Sequence, residues 1–419
     1  MSESGKSDVL ILGGGVIGLA CALYLLRAGR GVVVLEQGRA GGACSHGNCG
    51  TITPSHAMPL AMPGVIAQAL RWMWRADAPL RIAPRLDVGL WLWLLRFARL
   101  CNWRDFARIT AIKAKLLRLS REALEALIRD ERLNCEFETI GTMNVYRDAR
   151  AFAASDWLPR ALADCGLPVE TLDGAACRSR EPALNENVVG GYFHPFDAHL
   201  RPDRYVAELA RAVRARGGEV YESTRLQGFD RQGDRLAGVV TDRGRFTGRD
   251  VVLALGAWTP QVARQLELRL PIQPGKGYSI TYTRPALAPR IPLTLKERAV
   301  CVTAWDSGYR LGSTMEFAGY DARLNRTRLD ALRRGAAEYL REPEGPRVVE
   351  EWYGWRPMTH DDLPILGRST RVQNLLLATG HGMLGVTLSA ATGLLISELV
   401  LGRSPSLDPA PYLPSRFGG

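Results

Sequence analysis

The sequence predicts an α/β fold, and three observations predict it. A buried apolar run at residues 8–12 leads directly into Gly13, Gly14, Gly15 and Gly18, and then into an apolar helix. A second buried run, 251–255, ends in a turn at Gly256. A third, 375–378, ends in Gly380-His381-Gly382-Met383-Leu384-Gly385 and a further helix that reaches about residue 401. Short buried strands that alternate with glycine turns and helices make a parallel sheet.

The first element carries the most information. Gly13-Gly14-Gly15-Val16-Ile17-Gly18 matches G-x-G-x-x-G, with Val16 and Ile17 in the free positions. Gly13 permits the tight turn, Gly15 lets the backbone approach a pyrophosphate, and Gly18 lets helix and strand pack closely. Residues 19–28 are good helix formers closed by Gly29, and the free N–H groups at the helix start favour phosphate. Gly31 precedes a second strand, 32–35, which ends in Glu36 with Gln37 beside it. Glu36 falls 18 residues after Gly18, where a carboxylate accepts hydrogen bonds from ribose hydroxyls and repels a 2′-phosphate. A lone glycine motif is weak evidence. Set between two strands, with a helix and a terminal acid, it predicts a Rossmann-like dinucleotide site.

Further along, a helix at 202–216, Gly217-Gly218 and short strands near 219–221 and 239–241 lead back to the buried strand at 251–255. Residues 70–103 hold five of the ten tryptophans (Trp72, Trp74, Trp91, Trp93 and Trp103), interleaved with arginines. The stretch 91–100 is apolar nearly all round, which predicts burial inside the protein. The alternative is a patch that lies on an anionic membrane face.

Composition narrows the class. With 419 residues, 46% hydrophobic and 23% charged, the chain can bury a large core in two or three domains. The residues before the first strand are polar and do not read as a secretory signal, and the run 88–95 is too short to span a bilayer, so a cytoplasmic protein is expected. Association with the cytoplasmic face of the inner membrane is the variant of that expectation. The eight cysteines include no Cys-x-x-Cys pair, so reduced thiols and no metal centre are expected. The net charge of +11 is arginine spread along the chain, which argues for a solvated basic surface and against a nucleic acid partner.

Several stretches together carry a family resemblance: Asn48-Cys49-Gly50 through Pro59, Pro63-Gly64, Trp72-Met73-Trp74 with Ala78-Pro79-Leu80, Lys276-Gly277-Tyr278-Ser279, Arg356-Pro357-Met358-Thr359 and Gly380-His381-Gly382. The chain resembles, nearly end to end, the D-amino-acid oxidase superfamily of flavoproteins. That superfamily includes glycine oxidase, sarcosine oxidase and bacterial D-amino-acid dehydrogenase, and the small subunit of the last is the nearest likeness. The resemblance implies a Rossmann-like FAD-binding domain interleaved with an α+β substrate domain. The FAD-binding parts are expected at 1–55, 190–265 and 357–419, and the substrate domain at 56–189 and 266–356. It implies FAD in an extended pose, with its flavin near Ser45, Asn48 and Gly50 and near the helix start formed by Gly382, Leu384, Gly385, Val386 and Thr387. In sarcosine oxidases the cysteine that links flavin covalently falls where Arg356 stands, so non-covalent FAD is expected.

The resemblance also makes the arginine of the Gly-x-Arg-Pro stretch, Arg356, the clamp for a substrate carboxylate. A guanidinium grips a carboxylate at two points and fixes distance and angle together. His46 and His56 lie in the segment expected to pass the flavin, and both are candidates for the substrate site. Glycine oxidases carry a carboxylate-binding tyrosine in the strand before Gly312-Ser313-Thr314. Val302 and Thr303 stand near that place here, which leaves Tyr278 as the candidate. His381 is expected to stand behind a turn that touches flavin. The segment 48–60 also resembles family members that oxidise D-hydroxyproline or D-proline. The expected reaction is oxidation of a small D-amino or imino acid, with cis-4-hydroxy-D-proline first, and transfer of the electrons to a quinone or carrier protein. The alternatives are an oxygen-using oxidase of glycine or sarcosine type and a non-catalytic flavoprotein subunit of an electron-transfer complex.

Overall fold

The computed structural model describes residues 3–72 and 78–417. Five parallel strands form the centre of an eight-stranded sheet, in the spatial order Glu219–Tyr221, Val32–Leu35, Glu3–Leu12, Gly244–Leu253 and Leu375–Thr379. The hairpin Leu226–Gln232 and Arg235–Thr241 pairs antiparallel with the first residues of Gly244–Leu253, on the same side where Leu375–Thr379 pairs with its last residues, and Ile365–Arg368 adds antiparallel beyond Leu375–Thr379. Alternation along the first strand splits its side chains between two cores. Val9 and Ile11 join a core with the helices Val16–Arg27, Pro202–Ala215 and Gly385–Leu401. Leu10 and Leu12 join the opposite core with Leu236, Val239 and Phe246.

The second sheet has nine strands. Its main path runs Val348–Thr359, Ile272–Tyr282, Gly308–Phe317, Val300–Trp305, Leu293–Leu295, Thr142–Tyr146, Gly190–His194 and Glu170–Asp173, and Leu80–Ile82 pairs with Gly308–Phe317. Two expected boundaries move because of hydrogen-bond pairing. Gly190–His194 pairs with Thr142–Tyr146, and Val348–Thr359 pairs with Ile272–Tyr282 as far as Thr359, so both belong to this second sheet. The two halves are joined by the helix Trp103–Glu131, which packs on Gly385–Leu401. There the Ser120 hydroxyl donates to Thr387 O (2.6 Å) and accepts from Ala391 N (3.2 Å).

The tryptophan-rich segment corrects an expectation. The helix Val88–Leu100 starts on Asp87, which accepts from Leu90 N at 3.0 Å. It buries Leu90 and Trp93, and Trp93 Nε1 donates to Met358 O at 3.1 Å. Trp91, Leu92 and Leu95 stay 58%, 51% and 50% exposed, so the segment is not buried as a whole. Its sequence is apolar on both faces, but the sheet covers only one. Met73 and Trp74 lie outside the described residues. Among the described residues no helix is long and apolar enough to cross a membrane.

Candidate active site

The glycines at the start of the first helix do two different jobs. Gly13 has φ +109°, and a Cβ there would sit 2.5 Å from Ala254 O. A Cβ on Gly18 would sit 1.9 Å from Gly13 O. These two positions close the turn and pack helix on strand. Gly15 is different, because the nearest atom to a Cβ there is Ser45 Oγ at 3.7 Å and the space in front is open. Ser45 Oγ also accepts from Val16 N at 3.1 Å. Glu36 accepts from Gly14 N and from Gly38 N, both at 2.8 Å, which holds its carboxylate at the strand end with lone pairs to spare.

One cavity of about 1350 Å³ runs from this turn to the second sheet. Gly13, Gly15, Val16 and Ile17 line its first end together with Glu36 and Gln37. Ser45 and Asn48 line it further in, and Gly256 lines the opposite side. Gly382, Leu384, Gly385, Val386 and Thr387 bring the start of the helix Gly385–Leu401 to its middle. No side chain caps that helix start, so its N–H groups and positive dipole face the cavity. Thr387 Oγ1 donates to Thr51 O (3.2 Å) and accepts from Thr53 N (3.4 Å), which ties the 51–53 segment to the helix.

Four expected residues do not line the cavity. Gly18 packs behind the turn. Gly50 (φ +77°) and Gly380 (φ +75°) are turn residues, and a Cβ on Gly50 would meet Leu200 O at 2.0 Å. His46 points elsewhere: its Nε2 lies 3.0 Å from both carboxylate oxygens of Glu350. The structure therefore does not bring His46 to the site.

At the far end, Arg356, His56 and Tyr278 all reach the cavity. Arg356 is enclosed by protein, and burial pulls its pKa below the usual arginine value. Its Nη1 donates to Thr314 O at 2.6 Å and approaches Met315 Sδ at 3.7 Å. Among the described residues no carboxylate pairs with it. Its guanidinium lies over Gly277, where a Cβ would come within 2.4 Å of Cζ, so only glycine leaves room. Tyr278 is fully buried and its hydroxyl donates to Glu316 at 2.5 Å. That bond commits the hydroxyl away from a substrate carboxylate. His56 Nδ1 lies 3.2 Å from Thr53 Oγ1. Burial first, then the charges of Lys296 and Lys113, push the His56 pKa down to about 4 and keep the ring neutral. His381 sits behind its turn, with Nε2 2.9 Å from Thr392 Oγ1.

Sequence reasoning missed part of this wall. Asn144, His194, Thr294 and Lys296 come from three consecutive strands of the second sheet and the turn after one of them, and all line the cavity. Lys113 also lines it and pairs with Asp362. Arg310, buried, donates to His46 O (3.0 Å) and Asn48 O (2.7 Å) and fixes the loop between them. No motif marks these residues. The only local signal is alternation, which places Thr294 and Lys296 on one face of a short strand and its extension. All eight cysteines are free thiols, and among the described residues no cluster could hold a metal ion.

A turn of glycines that leaves room for a pyrophosphate, a long cavity and a helix start aimed at its middle fit a dinucleotide-binding protein. The family model described as FAD dependent oxidoreductase (DAO) matches residues 8–399, and the chain belongs to that family. The D-amino acid dehydrogenase of Granulibacter bethesdensis is 33% identical, over 98% of this chain and 100% of its own length. The protein of the same name from Methylobacterium radiotolerans is 35% identical, over 95% and 97%. Among solved structures, glycine oxidase from Geobacillus kaustophilus superposes with a TM-score of 0.79 at 24% identity, covering 98% of this chain and 99% of that one. L-proline dehydrogenase from P. horikoshii gives 0.75 at 18%, covering 100% and 99%. These structures share the fold. The cofactor is FAD, and the open face of Gly15, the carboxylate of Glu36 and the uncapped start of Gly385–Leu401 fit it.

Proposed function

We propose that the protein is a D-amino-acid dehydrogenase that oxidises a small D-amino or imino acid to the imine, with cis-4-hydroxy-D-proline or D-proline as the leading substrate. The observation that carries this reading is Arg356, a guanidinium enclosed at the end of the cavity with no carboxylate among the described residues to neutralise it. A substrate carboxylate is the natural counter-ion, and two-point binding sets the α-carbon at a fixed place. Bound FAD supplies the hydride acceptor. The chain supplies position: Arg356 holds one end of the substrate and the wall around His56 holds the other. The names of the similar D-amino acid dehydrogenases favour the D configuration. The likeness of residues 48–60 to D-hydroxyproline and D-proline oxidising members supports the substrate order.

FAD is held without a covalent link, since Arg356 occupies the place of the linking cysteine. Electrons leave to a quinone or carrier protein. The half-exposed apolar face of Val88–Leu100, beside Arg96 and Arg99, suits contact with an anionic membrane that carries a quinone. An anaerobic screen of D- and L-amino acids, read by bleaching of the flavin, tests the substrate class. Rapid bleaching by D-proline and its hydroxy derivative is expected, and bleaching by L-amino acids alone overturns the reading. Dye-linked turnover well above peroxide production is expected, and equal rates favour an oxidase.

A further inference from the structure

Lys296 stands in an unusual position. Its side chain is exposed, and the surface it exposes faces the cavity. Its ammonium has no hydrogen-bond or ion-pair partner among the described residues. The neighbouring acid is already engaged, because Glu297 accepts from Arg147 N and Asp148 N (both 3.0 Å) and from the Tyr339 hydroxyl. Lys113, the other lysine of this wall, differs in being paired with Asp362. Nearby, Asn144 Nδ2 lies 3.0 Å from His194 Nε2, and the buried Nδ1 of His194 has no partner. This end of the cavity is therefore rich in donors and poor in acceptors. The Lys296 ammonium stands in the cavity without an acceptor from the described residues, and a ligand oxygen would give it a charge-assisted hydrogen bond.

The sheet also sets the distance from Arg356. The Arg356 guanidinium crosses Gly277 and ends on Thr314, over the strand Gly308–Phe317. Lys296 follows Leu293–Leu295, two places further along the sheet. Strands lie about 4.8 Å apart, so the two bases are about 10 Å apart and the lysine stem shortens the gap. A small amino acid with an oxygen four bonds from its carboxylate carbon can span what remains. We propose that Lys296 is a specificity-determining residue that receives the distal oxygen of a substrate whose carboxylate sits on Arg356. The inference rests on the carboxylate-clamp reading and adds to it that the substrate carries a hydroxyl or carboxylate at its far end.

Two arms test it on the FAD-loaded enzyme, with Lys296→Met as the variant and Lys296→Arg as the conservative control. Retained FAD and a cooperative melt show that each variant is folded. In the first arm, flavin reduction is compared between cis-4-hydroxy-D-proline and D-proline. The parent should prefer the hydroxylated substrate by about tenfold in kcat/KM, and the preference should vanish in Lys296→Met and return in Lys296→Arg. In the second arm, thermal shifts are compared between glutarate and valerate, which differ in the distal carboxylate and need no turnover. Glutarate should stabilise the parent more than valerate, and Lys296→Met should lose the difference. If neither proline reduces the flavin but the glutarate preference behaves as stated, the imino-acid reading fails and the role of Lys296 stands. A parent without preference in either arm, or a methionine variant that keeps it, overturns the role of Lys296.

Discussion

The two ends of the cavity are built from different materials. At the glycine-turn end the cavity is lined by backbone: Gly13 and Gly18 are glycines because a Cβ has nowhere to go, whereas Gly15 faces open space. At the far end the cavity is lined by side chains, among them Arg356 on Val348–Thr359 and Lys296 in the turn after Leu293–Leu295, far apart in the chain. A backbone-made site needs a particular residue at a particular spacing. A side-chain-made site needs only that some strand deliver the group.

The sharpest break of this comparison lies within the glycines. Gly18→Val should prevent stable folding, because the side chain meets the carbonyl of Gly13. Gly15→Val has room in the free chain and should fold, yet lose FAD. Circular dichroism and flavin content on the two variants separate the effects, and a Gly15→Val protein that keeps its yellow colour refutes the pyrophosphate placement.

At the other end, Arg356→Ala should retain FAD but lose about 100-fold or more in kcat/KM, with both parameters affected. Arg356→Lys should recover part of the loss, since it keeps the charge without the two-point grip. Stopped-flow reduction gives both numbers. Unchanged kinetics in FAD-loaded Arg356→Ala removes the clamp.

Acid should expose a difference in stability. Burial pushes His56 and His199 down to about 4 and His194 and His381 to about 3. The unfolded chain binds protons on these rings first, near pH 6.5, so stability falls as pH drops from about 6.5 towards 4. Asp197 works the other way: burial raises it to about 6, and its protonation stabilises the fold over the lower part of the same window. Four histidines outweigh one aspartate, and the melting temperature should fall on the order of 10 °C between pH 7 and 4.5. A flat profile contradicts this balance.

The smallest effect is expected at His46. Its partner is Glu350, so His46→Gln should change KM by less than about twofold, within the range of a part-exposed ion pair. A large loss restores it to the substrate site.

The same contrast explains what was legible. The parallel strands, the helix after Gly15 and the helix before Gly402 were readable because turns and periodicity are local. His46 and His56 sit in one loop-rich stretch, and nothing local tells which ring turns inward; Arg310 decides it by anchoring the 46–48 backbone. Lys296 and His194 were invisible because their meeting depends on strand order, which no spacing encodes. For Val88–Leu100 the apolar composition was plain, but which face is covered depends on the partner sheet.

The order of strands in the first sheet has a consequence for synthesis. Glu3–Leu12 leaves the ribosome first, but its neighbour Gly244–Leu253 follows some 240 residues later and Leu375–Thr379 near the end. The helix start that faces the middle of the cavity comes later still, at Gly385. A nascent chain of 370 residues therefore has the glycine turn but lacks one wall of the cradle. Such non-local closure is slow. The cradle is thereby complete only once segments some 370 residues apart in sequence have come together.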